Sequence, residues 1–200
     1  MRFLGPSGLA VLVLVSCGGG SAPLRPLPVP RDGSARARIV DQTGERLYTA
    51  LSRGRPLTLL ADDVALRALV DSRSASRYSA LRQGVSARVG AEGADFGPLA
   101  HARYSGVCLQ GARLEPRAGS LGLRADGWVF DRALVVGDEP GGRRLASWVE
   151  GTFVYSSDGF LALSLSRVEA PRWEHSDLEM AVCDMEVGIG QPRPVVDVTD

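Results

Sequence analysis

Two histidines and two pairs of adjacent acids are where this 200-residue chain could do acid–base or metal chemistry. His101 and His175 lie far apart, and neither has a histidine or cysteine at ligand spacing, so no metal site is expected. His175-Ser176-Asp177 holds the letters of a hydrolytic triad, but neighbouring side chains on an extended chain point apart, whereas a triad is assembled across a fold. Neither G-x-S-x-G nor H-E-x-x-H occurs in the chain. Asp62-Asp63 and Asp138-Glu139 could open a calcium loop, yet the alternating acids and closing Glu of an EF-hand are missing. A helix start accounts for the first pair, and a turn beside Gly141-Gly142 for the second. Two carboxylates that flank a sugar leave no local motif, so a hydrolase built on dispersed acids or His175 stays as an alternative. All 23 basic residues are Arg. That removes the P-loop lysine, the Schiff-base lysine and the Ser–Lys dyad. No catalytic residue and no cofactor is assigned.

Cys17 sits at the end of a different kind of pattern. Arg2 is followed by Leu9-Ala10-Val11-Leu12-Val13-Leu14-Val15 and then by Ser16-Cys17-Gly18-Gly19-Gly20. One positive charge, an apolar run and small residues read as a secretory signal. The run is too short for a ~30 Å hydrocarbon core, which takes about 20 residues. Leu14-Val15-Ser16-Cys17 resembles the lipobox of bacterial lipoprotein precursors, and the resemblance covers these seventeen residues alone. It implies cleavage before Cys17, acylation of that cysteine (palmitate among its chains) and attachment to the cell envelope. At ~0.8 kcal/mol per buried CH₂, more than one chain makes such attachment stable. Gly18 stands where an Asp would signal inner-membrane retention, which favours the outer membrane with the domain facing the periplasm. Residues 35–200 carry no family resemblance.

Cys108 and Cys183 remain. Both fall in segments that read as strands, and an exported chain meets an oxidising compartment, so a disulfide between them is expected. It would close a loop of about 76 residues, worth ~4 kcal/mol in the chain-entropy picture. Two buried thiols and one reactive cysteine are the alternatives.

The elements that position these residues fall into a signal peptide (1–16), a Gly/Pro-rich tether (17–34), one globular domain (35–190) and a tail (191–200). The domain divides into a mixed α/β part (35–100) and a β-rich part (101–190). The seventeen residues from Gly18 to Ser34, at ~3.3 Å each, could reach ~55 Å. Weak alternation predicts strands at 35–40 and 56–60, with 46–51 undecided. A helix is expected over 62–70, where acids occupy the first turn and apolar positions share a face. A second is expected over 74–83, with Gly84 to end it. Beyond residue 104 the period becomes that of strands. Segments 121–125 and 128–136 flank Asp126-Gly127, the pair that type I′ hairpins prefer. Segments 143–155 and 160–168 flank a turn at 156–159, and a last strand is read at 178–183. The expectation is an α+β fold, mostly antiparallel β: five or six strands in a meander, closed as a small barrel or covered by helices.

The charges sum to zero but are unevenly placed, with an Arg-rich first half and an acid-rich second. Such a half could face anionic head groups or an acidic partner, although an ordinary solvated surface explains it too. Trp128, Trp148 and Trp173, with Phe130, Phe153, Tyr155 and Phe160, read as the core of the sheet more than as a pocket wall. Interleaved basic and aromatic residues of the kind that bind single strands are absent, so no nucleic acid is expected. The reading is a non-catalytic envelope lipoprotein that binds a partner protein or an apolar ligand through its β-rich domain. A purely structural accessory lipoprotein of an envelope complex is the third reading.

Overall fold

The structure, a computed structural model, describes residues 23–91 and 95–173. Helices come first: α1 (Gly33–Ser52), a 3-10 turn (Pro56–Leu59), α2 (Asp63–Leu69), α3 (Ser72–Ala91) and α4 (Gly97–His101). Strands follow: β1 (Arg103–Gln110), β2 (Arg113–Glu115), β3 (Gly127–Asp138), β4 (Arg144–Ser156), β5 (Gly159–Val168) and β6 (Arg172–Trp173). The fold is α+β with an antiparallel sheet. The last strand expected at 178–183 lies outside the described residues.

The sheet runs β1-β3-β4-β5, with β2 beside β3 and β6 beside β4. β1 pairs with the second half of β3 and β2 with its first residues, so the two are successive pieces of one edge. β5 and β6 divide β4 in the same way. The sheet does not close, and the barrel alternative is therefore set aside. Closure would need the free edge of β5 to find another strand. That edge is instead met by the chain leaving the 3-10 turn: Ala61 N–H donates to Ala162 O at 2.8 Å, and Leu60 bridges Ala162.

Residues 35–40, expected as a strand, are the opening turns of α1. Asp32 caps the helix by accepting from Ser34 N–H at 3.1 Å and from its hydroxyl at 2.8 Å. Ile39, Thr43, Leu47 and Leu51 then repeat every four residues and pack toward the sheet, a period that a six-residue window cannot display. The helix ends in a Schellman motif at Gly54, whose φ is +62°. Gly54 N–H donates to Leu51 O and Arg55 N–H to Ala50 O, both at 2.8 Å. Residues 56–60, the other early strand expected, form the 3-10 turn, with Pro56 in its first position.

α2 lies where the acids and the apolar spacing place it, with Asp62 accepting from Ala65 N–H at 2.8 Å. α3 begins earlier than expected and runs past Gly84 to Ala91. The turns at Gly142 and Gly159 both take positive φ and join β3 to β4 and β4 to β5. The hairpin expected at Asp126-Gly127 does not form. Residues 121–124 pair with the α2–α3 junction instead, through Asp71 N–H to Gly122 O at 2.8 Å and Arg124 N–H to Leu69 O at 2.9 Å. Meanwhile the start of β3 is taken by β2 and by Leu27, whose carbonyl accepts from Trp128 N–H at 2.8 Å.

Apolar residues cover both faces of the sheet. Trp128, Phe130, Ala133 and Val135 of β3 face α1, with Phe153 and Phe160 beside them. Phe130 and Ala133 share that face because a bulge between Phe130 and Arg132 resets the alternation. On the opposite face, Val129, Val154, Leu161 and Leu163 meet Leu66, Leu69 and Tyr78 of α2 and α3. Further along that face Cys108, Leu134, Val136 and Ala146 form a smaller buried cluster.

Candidate functional site

The residues singled out for chemistry do not converge. Cys17, His175 and Cys183 lie outside the described residues. His101 ends α4 and is exposed. Asp62 is a helix cap, while Asp63 accepts from Ser79 Oγ at 2.9 Å and stands 3.6 Å from Arg82. Asp138 pairs with Arg144 at 3.1 Å and Glu139 with Arg143 at 3.3 Å across the β3–β4 turn. Both acidic pairs thus serve the fold. Among the described residues no group of three or more His, Cys, Asp or Glu could hold a metal ion. No helix among them is long and apolar enough to cross a membrane.

Cys108 is buried on β1. It is the one cysteine among the described residues, so no pair is seen there.

Trp128, Phe130, Phe153 and Phe160 fill the core, and Tyr155 and Trp148 are half-buried. Phe130 and Phe153 stack at 4.4 Å with nearly parallel rings, and Phe160 meets Phe130 and Trp128 edge-on at 4.9 and 5.1 Å. Trp148 lies on the opposite face beneath the Arg132 guanidinium, 4.0 Å from its ring centre.

Concavity lies elsewhere, along the exposed side of α1. Three adjoining depressions meet at Arg46. The first, of about 530 Å³, lies between α1 and the 3-10 turn and is lined by Glu45, Arg46, Thr49, Arg53, Arg55 and Thr58, among others. The second, of about 890 Å³, extends toward Leu24, Asp62, Val64 and Asp158. The third, of about 350 Å³, runs under Tyr155 and the β4–β5 turn. Arg46 is fixed where they join by donating from Nη1 to Asp158 O at 3.1 Å. Sequence reading passed over this place because Arg46, Arg53 and Arg55 look like ordinary solvated charges; the signal was the Gly54 helix stop between two of them.

Arginine pairing follows the halves of the chain. On the strands and their turns Arg113, Arg132, Arg143, Arg144, Arg167 and Arg172 are in ion pairs, and Arg103 at the start of β1 is not, among the described residues. From Arg25 to Arg82 on the helical side, Arg82 alone is so paired among the described residues.

Tyr104 and Tyr48 brace α1 against this sheet. Tyr104 Oη donates to Asp41 Oδ1 at 2.9 Å, and Tyr48 Oη reaches Leu99 O and Ala102 O at 2.7 and 2.6 Å. Burial, and then the Asp41 carboxylate, push the Tyr104 hydroxyl well above its ordinary value.

No family model, curated protein or solved structure matches the chain.

Proposed function

We propose that the chain is a bacterial envelope lipoprotein, anchored through acylated Cys17, whose α+β domain is a non-catalytic module that binds a partner protein at the membrane surface. The observation that carries this reading is the fastening of the N-terminal segment. Leu27 N–H donates to Tyr155 O at 2.9 Å and Leu27 O accepts from Trp128 N–H, while Pro26 bridges Ser156. The ten residues from Cys17 to this fastening reach at most about 33 Å at ~3.3 Å each. That is well short of the reach of an unfastened tether, so an acylated Cys17 would hold the domain close to the bilayer. The aromatic packing inside the open sheet favours a partner protein over an apolar ligand.

The Cys108–Cys183 disulfide belongs to the same reading. Cys108 lies in the apolar cluster with Leu134 and Val136, and a bond to Cys183 would fix the chain after β6 beside that cluster. In the chain-entropy picture a loop of this length is worth ~4 kcal/mol.

One preparation tests these points. The full precursor is expressed in a bacterial host, and the mature chain is examined by intact and native mass spectrometry. The expected result is an N-terminus at Cys17 carrying acyl chains, lost in Cys17→Ser, with no small molecule retained. An unmodified N-terminus beginning elsewhere refutes the anchor. A retained apolar molecule of a few hundred daltons turns the reading into that of a carrier. Digestion without reductant should yield one peptide pair joining Cys108 to Cys183.

A further inference from the structure

We infer that the depression between α1 and the 3-10 turn is a binding site for an oxyanion, a phosphate group carried on a lipid head group or a soluble molecule. Three features lead there. The first is charge without a partner. Among the described residues the side chains of Arg53 and Arg55 make no ion pair or hydrogen bond. The Arg46 guanidinium spends one N–H on the Asp158 carbonyl and meets no carboxylate. On the strands and their turns Arg113, Arg132, Arg143, Arg144, Arg167 and Arg172 are matched with acids, while Arg103 and Arg117 are not. Among the described residues an arginine without an acid is thus the rule on the helical side and the exception on the sheet.

The second is shape. Arg46 and Arg53 are seven residues apart and therefore on one face of α1. The Schellman turn at Gly54 folds the chain back, so that Arg55 returns to the same hollow. Three arginines thus line one concavity of about 530 Å³ instead of being scattered over a convex surface. That volume is within the range of small-ligand sites. Guanidinium groups present several donors in a plane, which suits phosphate oxygens better than a point charge does.

The third is the lining chemistry. Thr49, Thr58 and Gln42 add hydroxyl and amide groups, while Ala50 and Leu59 are buried beneath. Glu45 is the one acid in the lining of this hollow. Asp62 and Asp158 line the adjoining depression, and Asp158 also the third. The arginines therefore exceed the acids in this hollow and not in its neighbours.

The test follows backbone hydrogen exchange in a peptide spanning 42–60 of the full mature chain. It is run in phosphatidylcholine vesicles, in vesicles one part in about three phosphatidylglycerol, and in phosphatidylcholine vesicles with inorganic phosphate against chloride at equal ionic strength. Exchange should slow by about tenfold when phosphate is ten times its dissociation constant. The slowing should vanish in the triple variant Arg46→Ala/Arg53→Ala/Arg55→Ala, whose thermal melt checks that it folds. Slowing with phosphatidylglycerol assigns the source as a lipid head group, and slowing with inorganic phosphate assigns a soluble one. No slowing in either, or slowing that survives the triple variant, overturns the inference. The vesicle arm rests on the anchoring reading and the phosphate arm does not. Vesicle flotation reports the anchor separately, so the two failures are distinguishable.

Discussion

Replacing Gly44 by alanine probes the contact on which α1 rests. A Cβ at this position would overlap Tyr104 Oη and lie 2.6 Å from both Cβ and Cγ1 of Val107 on β1. Carbon atoms pack comfortably at about 3.5–4.0 Å, so helix and strand would have to separate by about 1 Å. Neither neighbour can easily yield. Val107 Cβ is attached to the strand backbone, and Tyr104 Oη is held by Asp41. Two effects therefore oppose each other. Removing a glycine from a helix interior gains about 1 kcal/mol. Overfilling a packed contact typically costs about 1–3 kcal/mol, and the constrained neighbours place this case at or beyond the upper end. The expected net loss is about 2 kcal/mol, which at a urea slope near 2 kcal/mol/M lowers the midpoint by about 1 M. Gly141→Ala is the control, because nothing lies within 4 Å of its added Cβ. It should stay within about 0.5 kcal/mol of the parent. In a double-mutant cycle Tyr104→Phe should return part of the loss, the part due to the hydroxyl overlap, and leave the part due to Val107. An alanine variant as stable as the parent would refute the argument that glycine is required for this helix–strand approach.

Other outcomes are open to direct measurement. Gly54→Ala forces a side chain into positive φ and should cost about 1–2 kcal/mol in a urea melt. It should also weaken phosphate protection of 42–60, since Arg55 is placed by that turn. Asp62→Ala removes the cap that accepts from Ala65 N–H and should cost about 1 kcal/mol, with exchange in α2 rising first. The Asp71 carboxyl is held below its ordinary value of 3.8, chiefly by the hydrogen bond from Ser74 N–H. Because the folded value is the lower one, its contribution is complete above the ordinary value and lost as the pH falls through the folded one. Asp71→Asn should accordingly lower the urea midpoint at neutral pH and flatten its fall below about pH 4. Arg132→Met removes the guanidinium from above Trp148 and its partner from Glu150. A loss of about 1 kcal/mol and a changed Trp148 emission are expected.

Local rules were sufficient where local forces decide. The change from helical to strand periodicity near residue 104, the strands ending at Ser156 and Val168, and the acid-capped start of α2 could all be read from short windows. So could the turn at Gly159, because a tight reversal between alternating segments demands positive φ. Trp128, Phe130, Phe153 and Phe160 were recognisable as core, since large rings in an antiparallel sheet have few other places to go. Contact between segments distant in sequence decided the rest. Residues 35–40 have too few apolar positions to declare a period alone; they become helical because Thr43, Leu47 and Leu51 extend the same stripe onto the sheet. Asp126-Gly127 has the local chemistry of a hairpin, but β2 and Leu27 occupy the backbone it would have paired with. An open sheet and a barrel share one alternation pattern, and the difference came from Ala61 taking the edge of β5 at Ala162. The Arg46 hollow was invisible for the same reason. A guanidinium on a helix face has no concavity until Gly54 turns the chain back beside it and the β4–β5 turn supplies the carbonyl that holds it.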